Sequence, residues 1–312
     1  MKWGYIIVEK MLIPIKKSIK IVFRYLNLEE VKEIIKLKKG FSRLVFSVND
    51  KYVIKICINP DKENQMRNEK KFYANNKSTY TPDLIIFDDS KKILPYIYSV
   101  EQKINGKNLF EIWSKVNQTS KERFLDELVK ILKLIHHPTI INDEKRLETV
   151  SKFNLLLDKC ISKNIFSSDE IKYLKQLEYY MKKYFSDAKF GYIHGDLHFN
   201  NIFWTKDGIK LIDFENYEIA PLDKEFDSIS RMVRDPNSFL LDKKLWQNPT
   251  DYKIIMDYLK EIYPEVCNQT NFENRLLIYD CLNSMNWIYY YPSYERYHKI
   301  LFHDSKKLII KK

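Results

Sequence analysis

The sequence predicts an α+β protein in two lobes, a small sheet-bearing lobe followed by a larger, mainly helical one. Three observations carry that expectation. The chain has 312 residues, beyond the roughly 100–200 of a typical domain. Its β-rich runs crowd into the stretch before Gly106, and beyond it apolar residues recur at helical spacing. With 45% hydrophobic and 14% aromatic residues, there is material for two cores.

The elements follow in order. The N-terminal MKWGYIIVEKMLIPIKK has a short apolar patch broken by Glu9 and Lys10, without a small-residue cleavage site. It reads as neither signal peptide nor anchor, with Met11 a second candidate start. Asn27-Leu-Glu-Glu30 has a capping-box pattern, predicting a helix to about Lys39 that stops at Gly40. FSRLVFSV and KYVIKICI are strands joined at Asn49-Asp50. Asp61 to Asn75 reads as a charged helix, ILPYIYSVEQKI as strand, and Asn105-Gly106 as a turn. Thr119-Ser-Lys-Glu122 opens a helix whose apolar residues Phe124, Leu125, Leu128, Val129, Leu132 and Ile135 keep helical spacing up to His137-Pro138. Helices are expected near 149–163 and 168–185, and a hairpin, IFWTKDGIKLI, turns at Asp207-Gly208. From Asp223 onward the pattern is mostly helical. The division expected is 1–103 and 107–312, with a hinge at about 101–106.

Composition excludes several function classes. The net charge of +11 comes from 53 Lys and Arg against 42 Asp and Glu. The lysines are spread through every segment beside abundant Ile, Asn and Tyr, a compositional bias rather than a nucleic-acid-binding patch. No run approaches the roughly 18 apolar residues of a membrane span. Cys57, Cys160, Cys267 and Cys281 lie far apart with no CxxC pair, against a zinc site or a disulfide framework and in favour of a reducing, cytoplasmic setting. Oligomeric state leaves no signal.

Two segments concentrate chemistry: GYIHGDLHFNNIFW, from Gly191 to Trp204, and LIDFEN, from Leu211 to Asn216. Asp196 and Asp213 each follow an apolar stub, and a hairpin at Asp207-Gly208 is expected to return one beside the other. Two carboxylates at close range need a cation or a shared proton. Asn201, five residues after Asp196, adds a neutral oxygen, and such hard oxygens suit Mg²⁺, which borrows further ligands from substrate phosphates.

HGDLHFNNI followed by LIDFE resembles the catalytic and metal-binding segments of the aminoglycoside phosphotransferase/choline kinase family, relatives of protein kinases. His194, Asp196 and Asn201 match the His-x-Asp pattern with its following Asn, and Asp213-Phe214 the start of the metal-binding motif. Glu215 replaces the protein-kinase Gly, as in many small-molecule kinases. The resemblance implies a bilobal protein-kinase-like fold, with an N-terminal nucleotide-binding lobe and a C-terminal catalytic and acceptor-binding lobe. It also implies a nucleoside triphosphate donor, ATP or GTP, with Mg²⁺ on Asn201 and Asp213. Lys55 in YVIKI is the expected phosphate-binding lysine and Glu69 its helix partner, with Glu63 second. Ser42 is expected to bond a phosphate oxygen, since GxGxxG is absent. Glu101, Gln102 and Ile104 fall in the segment whose backbone would bond the base. Asp196 would orient the acceptor hydroxyl, and His198 would touch the transferring phosphate or brace Asp196. His136 is expected to be a packed, hydrogen-bonded residue, and Asp227 to open a helix and fasten the catalytic loop.

The acceptor is expected against the C-terminal helices, where Trp287, Tyr290 and Tyr291 in NWIYYYPSYERY, with Glu215, are possible contacts, although core burial is the favoured reading for most of that aromatic run. HGD rather than HND points to an aminoglycoside or sugar-like acceptor, with a choline- or ethanolamine-type amino alcohol second. A nucleotide-binding pseudokinase or spore-coat-like protein is the reading from another class. A protein substrate is disfavoured because no activation segment with an APE motif is present.

Overall fold

The computed structural model describes residues 2–38, 43–76, 79–240 and 246–310, with residues 2–13, 38 and 310 as backbone only. Along the chain run α1 (Lys2–Tyr25), β1 (Ile34–Lys38), β2 (Arg43–Val48), β3 (Tyr52–Cys57), α2 (Glu63–Asn75), β4 (Leu84–Asp88), β5 (Tyr98–Gln102), β6 (Gly106–Asn108) and α3 (Leu109–Ile112). Then come α4 (Gln118–Ile135), α5 (Asp143–Ser162), α6 (Ser168–Lys175), α7 (Leu177–Phe185), β7 (Phe190–Ile193), β8 (Ile202–Thr205), β9 (Gly208–Leu211) and β10 (Glu218–Pro221). The chain closes with α8 (Asp227–Arg234), α9 (Ile254–Ile262), α10 (Pro264–Cys267), α11 (Phe272–Tyr290) and α12 (Glu295–Ile310). It divides into two compact units. One holds the chain through Lys107 together with Phe203–Asn216; the other holds Asn108–Ile202 and Tyr217–Lys312.

In the first unit an antiparallel sheet runs β1-β2-β3-β5-β4. Strand side chains alternate between faces, so the even-numbered residues form one buried layer: Leu44, Phe46, Val48, Ile54, Ile56, Tyr98 and Val100. That layer joins Ile15, Ile19, Val22 and Phe23 of α1 in one core. The other face carries Arg43, Val45, Val53, Lys55, Ser99 and Glu101, and there Cys57 packs with Met66 of α2. The polar set thus lies on the face away from the α1 core. The turn between β2 and β3 has φ of 53° at both Asn49 and Asp50, the positive pair that a primed hairpin turn requires. The later segment Phe203–Asn216 brings the β8–β9 hairpin to this unit, where Leu211 N–H donates to Tyr80 O at 2.8 Å. Phe214 stacks on Phe72 with ring centroids 3.5 Å apart.

The structure corrects the sequence reading at several points. The helix expected from Asn27 to Lys39 is absent, and β1 lies there instead. Asn27 ends α1: at φ 51° it is the left-handed C-terminal residue, its N–H donating to Arg24 O while Leu28 N–H reaches Phe23 O. That is a Schellman closure, with Leu28 packed onto the cluster that contains Phe23. Asn tolerates left-handed backbone as readily as it caps, so the motif was read in the wrong direction. Ser42 and Gly40 lie outside the described residues. Only Tyr98–Gln102 of ILPYIYSVEQKI is strand, β4 was not foreseen, and Gly106 opens β6 rather than a turn. A Cβ at Gly106 would lie 2.5 Å from Trp204 O, which explains a glycine there. The cap of α4 is Asn117, whose side chain accepts from Ser120 N–H at 3.0 Å, two residues before the Thr119 expected.

In the second unit β7 pairs with β10, and helices enclose buried Trp113, Phe153, Phe185, Phe199 and Phe226. Arg275 of α11 is fully buried, bonded to the Asp223 carboxylate and, at 2.8 Å, to Tyr184 O; Tyr279 Oη donates to Asp223 at 2.8 Å. These bonds tie α11 and α7 to the segment leading into α8.

Candidate active site

The first unit gathers one group of expected site residues. Lys55 rises from β3 and Glu69 from α2, with Lys55 Nζ 2.5 Å from Glu69 Oε1. Both are buried, so the pair replaces water with charge-assisted hydrogen bonding. Burial would lower the Lys55 pKa, but the carboxylates of Glu101, Glu69 and Asp213 outweigh it and hold the amine protonated. Asp213 sits at φ 73°, a left-handed conformation unusual for a residue with a side chain. Its Oδ1 accepts from Arg43 Nη2 at 2.8 Å, and the same guanidinium pairs with Glu215 and lies 3.7 Å from Glu69 Oε2. Glu215 is further fixed through its carbonyl, which accepts from Asn68 Nδ2 at 3.1 Å. Glu63, the alternative partner for Lys55, instead pairs with Lys91 at 2.6 Å.

The segment expected to address a base is altered. Glu101 points its side chain inward, 2.9 Å from Lys55 Nζ. Gln102 N–H donates to Asp83 O and Lys103 N–H to Lys51 O, so a base addressed by this segment would meet its other backbone groups.

The second unit gathers the HGDLHFNN residues. Asp196 Oδ1 accepts from Ser228 Oγ at 3.2 Å, and Asn201 Nδ2 donates to Asp196 O at 3.0 Å. That bond orients the Asn201 amide, leaving Oδ1 buried without a hydrogen-bond partner. An orphaned buried oxygen of this kind fits a hard cation. Among the described residues no cluster of three or more His, Cys, Asp or Glu is arranged to hold a metal by itself. His198 Nε2 is 3.6 Å from Asp196 Oδ2, too long for a hydrogen bond.

Asp227 opens α8, as expected, and is linked to the catalytic loop only indirectly, through Arg231 and Ser228. Its carboxylate takes both arms of Arg231, at 3.0 and 3.1 Å, and Arg231 Nη2 also reaches Ser228 Oγ at 3.0 Å. The loop is fastened by Glu225, whose carboxylate accepts from His194 N–H at 2.6 Å and Gly195 N–H at 3.1 Å. Because a carboxylate only accepts, His136 Nε2 donates to it at 3.1 Å, and His136 Nδ1 shares a hydrogen bond with Tyr263 Oη at 2.9 Å. Despite burial, these donors hold the Glu225 pKa below its ordinary value. His136 is the packed, hydrogen-bonded residue expected.

Trp287, Tyr290 and Tyr291 are not core: they are 39%, 64% and 56% exposed. The buried stripe of α11 runs through Cys281, Ser284, Met285 and Ile288, which turns these rings outward. Trp287 stacks on Tyr297 at 5.4 Å and on Tyr291 at 5.6 Å.

With the geometry in hand, comparison with known proteins is informative. The profile of the family described as "Phosphotransferase enzyme family" (APH) matches residues 33–250, more than half of the chain. The chain belongs to the phosphotransferase enzyme family. Membership accounts for the kinase-like arrangement of a sheet-bearing unit and a mostly helical one. Solved structures agree on this fold. Aminoglycoside phosphotransferase APH(2'')-Ib, bound to ADP, aligns with a TM-score of 0.64 at 16% identity over 94% of this chain and 96% of that one. The gentamicin complex of APH(2'')-IIa aligns at 0.61 with 17% identity over 97% and 96%. The GDP complex of aminoglycoside 2'-phosphotransferase-IIIa aligns at 0.61 with 11% identity over 92% and 97%. Curated protein sequences give no significant match. No helix among the described residues is long and apolar enough to cross a membrane. In this phosphotransferase-family chain, sequence reasoning missed Arg43, the Glu101 side chain and Glu225. Each is recognisable only through partners remote in the chain.

Proposed function

We propose that the chain transfers the γ-phosphate of ATP or GTP to a hydroxyl group of a small molecule, an aminoglycoside or sugar-like acceptor being favoured. The observation that carries this reading is the buried Lys55–Glu69 pair, a fixed ammonium of the kind that holds nucleotide phosphates. Asp196 is the group that receives the acceptor hydroxyl, held in orientation by Ser228. Its task is chiefly positioning, with the proton taken late, because phosphoryl transfer passes through a loose transition state. Asn201 and Asp213 would hold Mg²⁺, which when bound neutralises charge on the phosphates. His198, its ring set against Phe239 with centroids 5.2 Å apart and its Nε2 3.6 Å from Asp196 Oδ2, would touch the transferring phosphate or brace Asp196.

The acceptor class is supported by the HGD string and by exposed Trp287 and Tyr291, stacked together beside half-buried Tyr297 as a surface suited to sugar rings. Similar proteins were solved with streptomycin, gentamicin and hygromycin B. The test is a nucleotide-consumption screen with ATP and GTP across aminoglycosides, amino sugars, choline, ethanolamine and homoserine. Acceptor-dependent turnover is expected with a hydroxylated sugar-like compound, and Asp196→Asn reduces it on the order of 10²–10⁴-fold while nucleotide still binds. An Asp196→Asn protein with near-wild-type turnover removes Asp196 from the mechanism.

A further inference from the structure

Lys55 is surrounded by one anion more than this reaction uses. In the β3–β5 ladder Val53 faces Glu101 and Lys55 faces Ser99, so Lys55, Ser99 and Glu101 share one face of the sheet. Against that face α2 lays Glu69 and, one turn on, Tyr73. Nζ of Lys55 is 2.5 Å from Glu69 Oε1 and 2.9 Å from Glu101 Oε1. Lys55, Glu69 and Glu101 are 7%, 1% and 2% exposed.

The two contacts differ in kind. The Glu69 contact is an aligned hydrogen bond. Glu101 Oε1 lies 2.9 Å from the same Nζ, within hydrogen-bond distance, but without the alignment of the Glu69 contact. The hydroxyls of Ser99 and Tyr73 in the same cluster are likewise buried with no hydrogen-bond partner. Glu69 has Arg43 as a second cation, 3.7 Å from its Oε2, whereas Glu101 has Lys55 alone among the described residues, and a buried carboxylate that shares its one counter-charge is costly unless something else takes part. Burial pushes the Glu101 pKa up to about 7 against the pull of Lys55.

Resting on the reading of Lys55 as the phosphate-binding lysine, we propose that Glu101 is an internal stand-in for the donor's phosphate oxygens. It holds Lys55 when nucleotide is absent and must be displaced before Lys55 can bind phosphate, so it sets nucleotide affinity. The open hydroxyls of Ser99 and Tyr73 supply donors to the displaced carboxylate. Glu101 is therefore a positioning residue, acting through Lys55.

The experiment is calorimetric titration of the full-length protein with ADP and GDP, each compared with its nucleoside. Glu101→Gln keeps the shape and removes the charge. It is expected to tighten the diphosphate that binds by about tenfold, through removal of one competing buried charge at Lys55. Nucleoside affinity stays unchanged, because a nucleoside offers Lys55 no phosphate. Glu101→Met, of similar length and apolar, shifts affinity the same way and stands in if the Gln variant folds poorly. A merely structural Glu101 would not separate diphosphate from nucleoside. Equal diphosphate affinity in wild type and variant, or equal tightening of the nucleoside, overturns the inference while Lys55→Met, if it abolishes diphosphate binding, leaves the nucleotide reading standing. A wild-type protein that binds neither ADP nor GDP overturns both.

Discussion

Glu225 is a single carboxylate on which a whole loop depends. It accepts from two consecutive backbone N–H groups, those of His194 and Gly195, and from His136 Nε2, with Glu225, His194 and His136 all buried. Glu225→Gln turns an NH₂ group toward at least one of these donors, so a buried donor is left unpaired. A loss of about 3–5 kcal/mol of stability is expected from breaking such a pair. The pH dependence has a definite sign. The folded carboxylate titrates below its unfolded value, so its contribution is complete above the unfolded pKa and is lost as pH falls through the folded one. Chemical denaturation between neutral and acid pH should therefore show a steep acid limb in wild type and a flatter one in the variant; coincident curves would contradict the assignment. The contrast with Asp227 shows what a sequence can reveal at this scale. Asp196, Asn201, Lys55 and Glu69 stand in local strings whose spacing carries meaning. Glu225 and Arg43 act on partners 31 and 170 residues away, and no local pattern encodes that.

At the scale of elements, alternation was the most legible signal. YVIKI reads as a strand with Lys55 opposite Ile54 and Ile56, and the sheet places them so, with the apolar face on α1. Capping signals were less legible because Asn serves either end of a helix. The left-handed backbone at Asn27 gives a direct test. Glycine adopts that conformation without a Cβ penalty, so Asn27→Gly should leave the thermal midpoint unchanged or slightly raised. Asn27→Val forces a β-branched side chain into it and should cost about 1–2 kcal/mol. Melting curves that rank Val equal to Gly would mean that the C-terminal closure of α1 is not formed in solution. The strand β4 was missed for a different reason: LIIFD is an apolar run too short to show a period, and only its pairing with β5 identifies it.

At the scale of the molecule, the sequence division at about 103–107 treats each lobe as one continuous stretch, and the chain does not. Phe203–Asn216 leaves the second unit and completes the first, because the hairpin and the Phe214 turn bury surface that residues before 107 leave uncovered. Phe72, fully buried, has Phe214 stacked 3.5 Å away; Arg43 has Asp213 and Glu215 as carboxylate partners; Tyr80 O has Leu211 N–H. Removing a large buried aromatic typically costs about 3–5 kcal/mol, against a total stability of about 5–15 kcal/mol for a domain. Loss of the carboxylates would in addition leave the Arg43 guanidinium in a buried position with Glu69 as its remaining acidic neighbour. A fragment ending at Lys107 is therefore expected to lack a cooperative thermal transition and to give collapsed, poorly dispersed amide signals, while the full-length Phe214→Ala protein melts cooperatively at a lower temperature. A fragment through Lys107 that melts as sharply as the full chain would show that Phe203–Asn216 is attached to a self-sufficient sheet rather than being part of it.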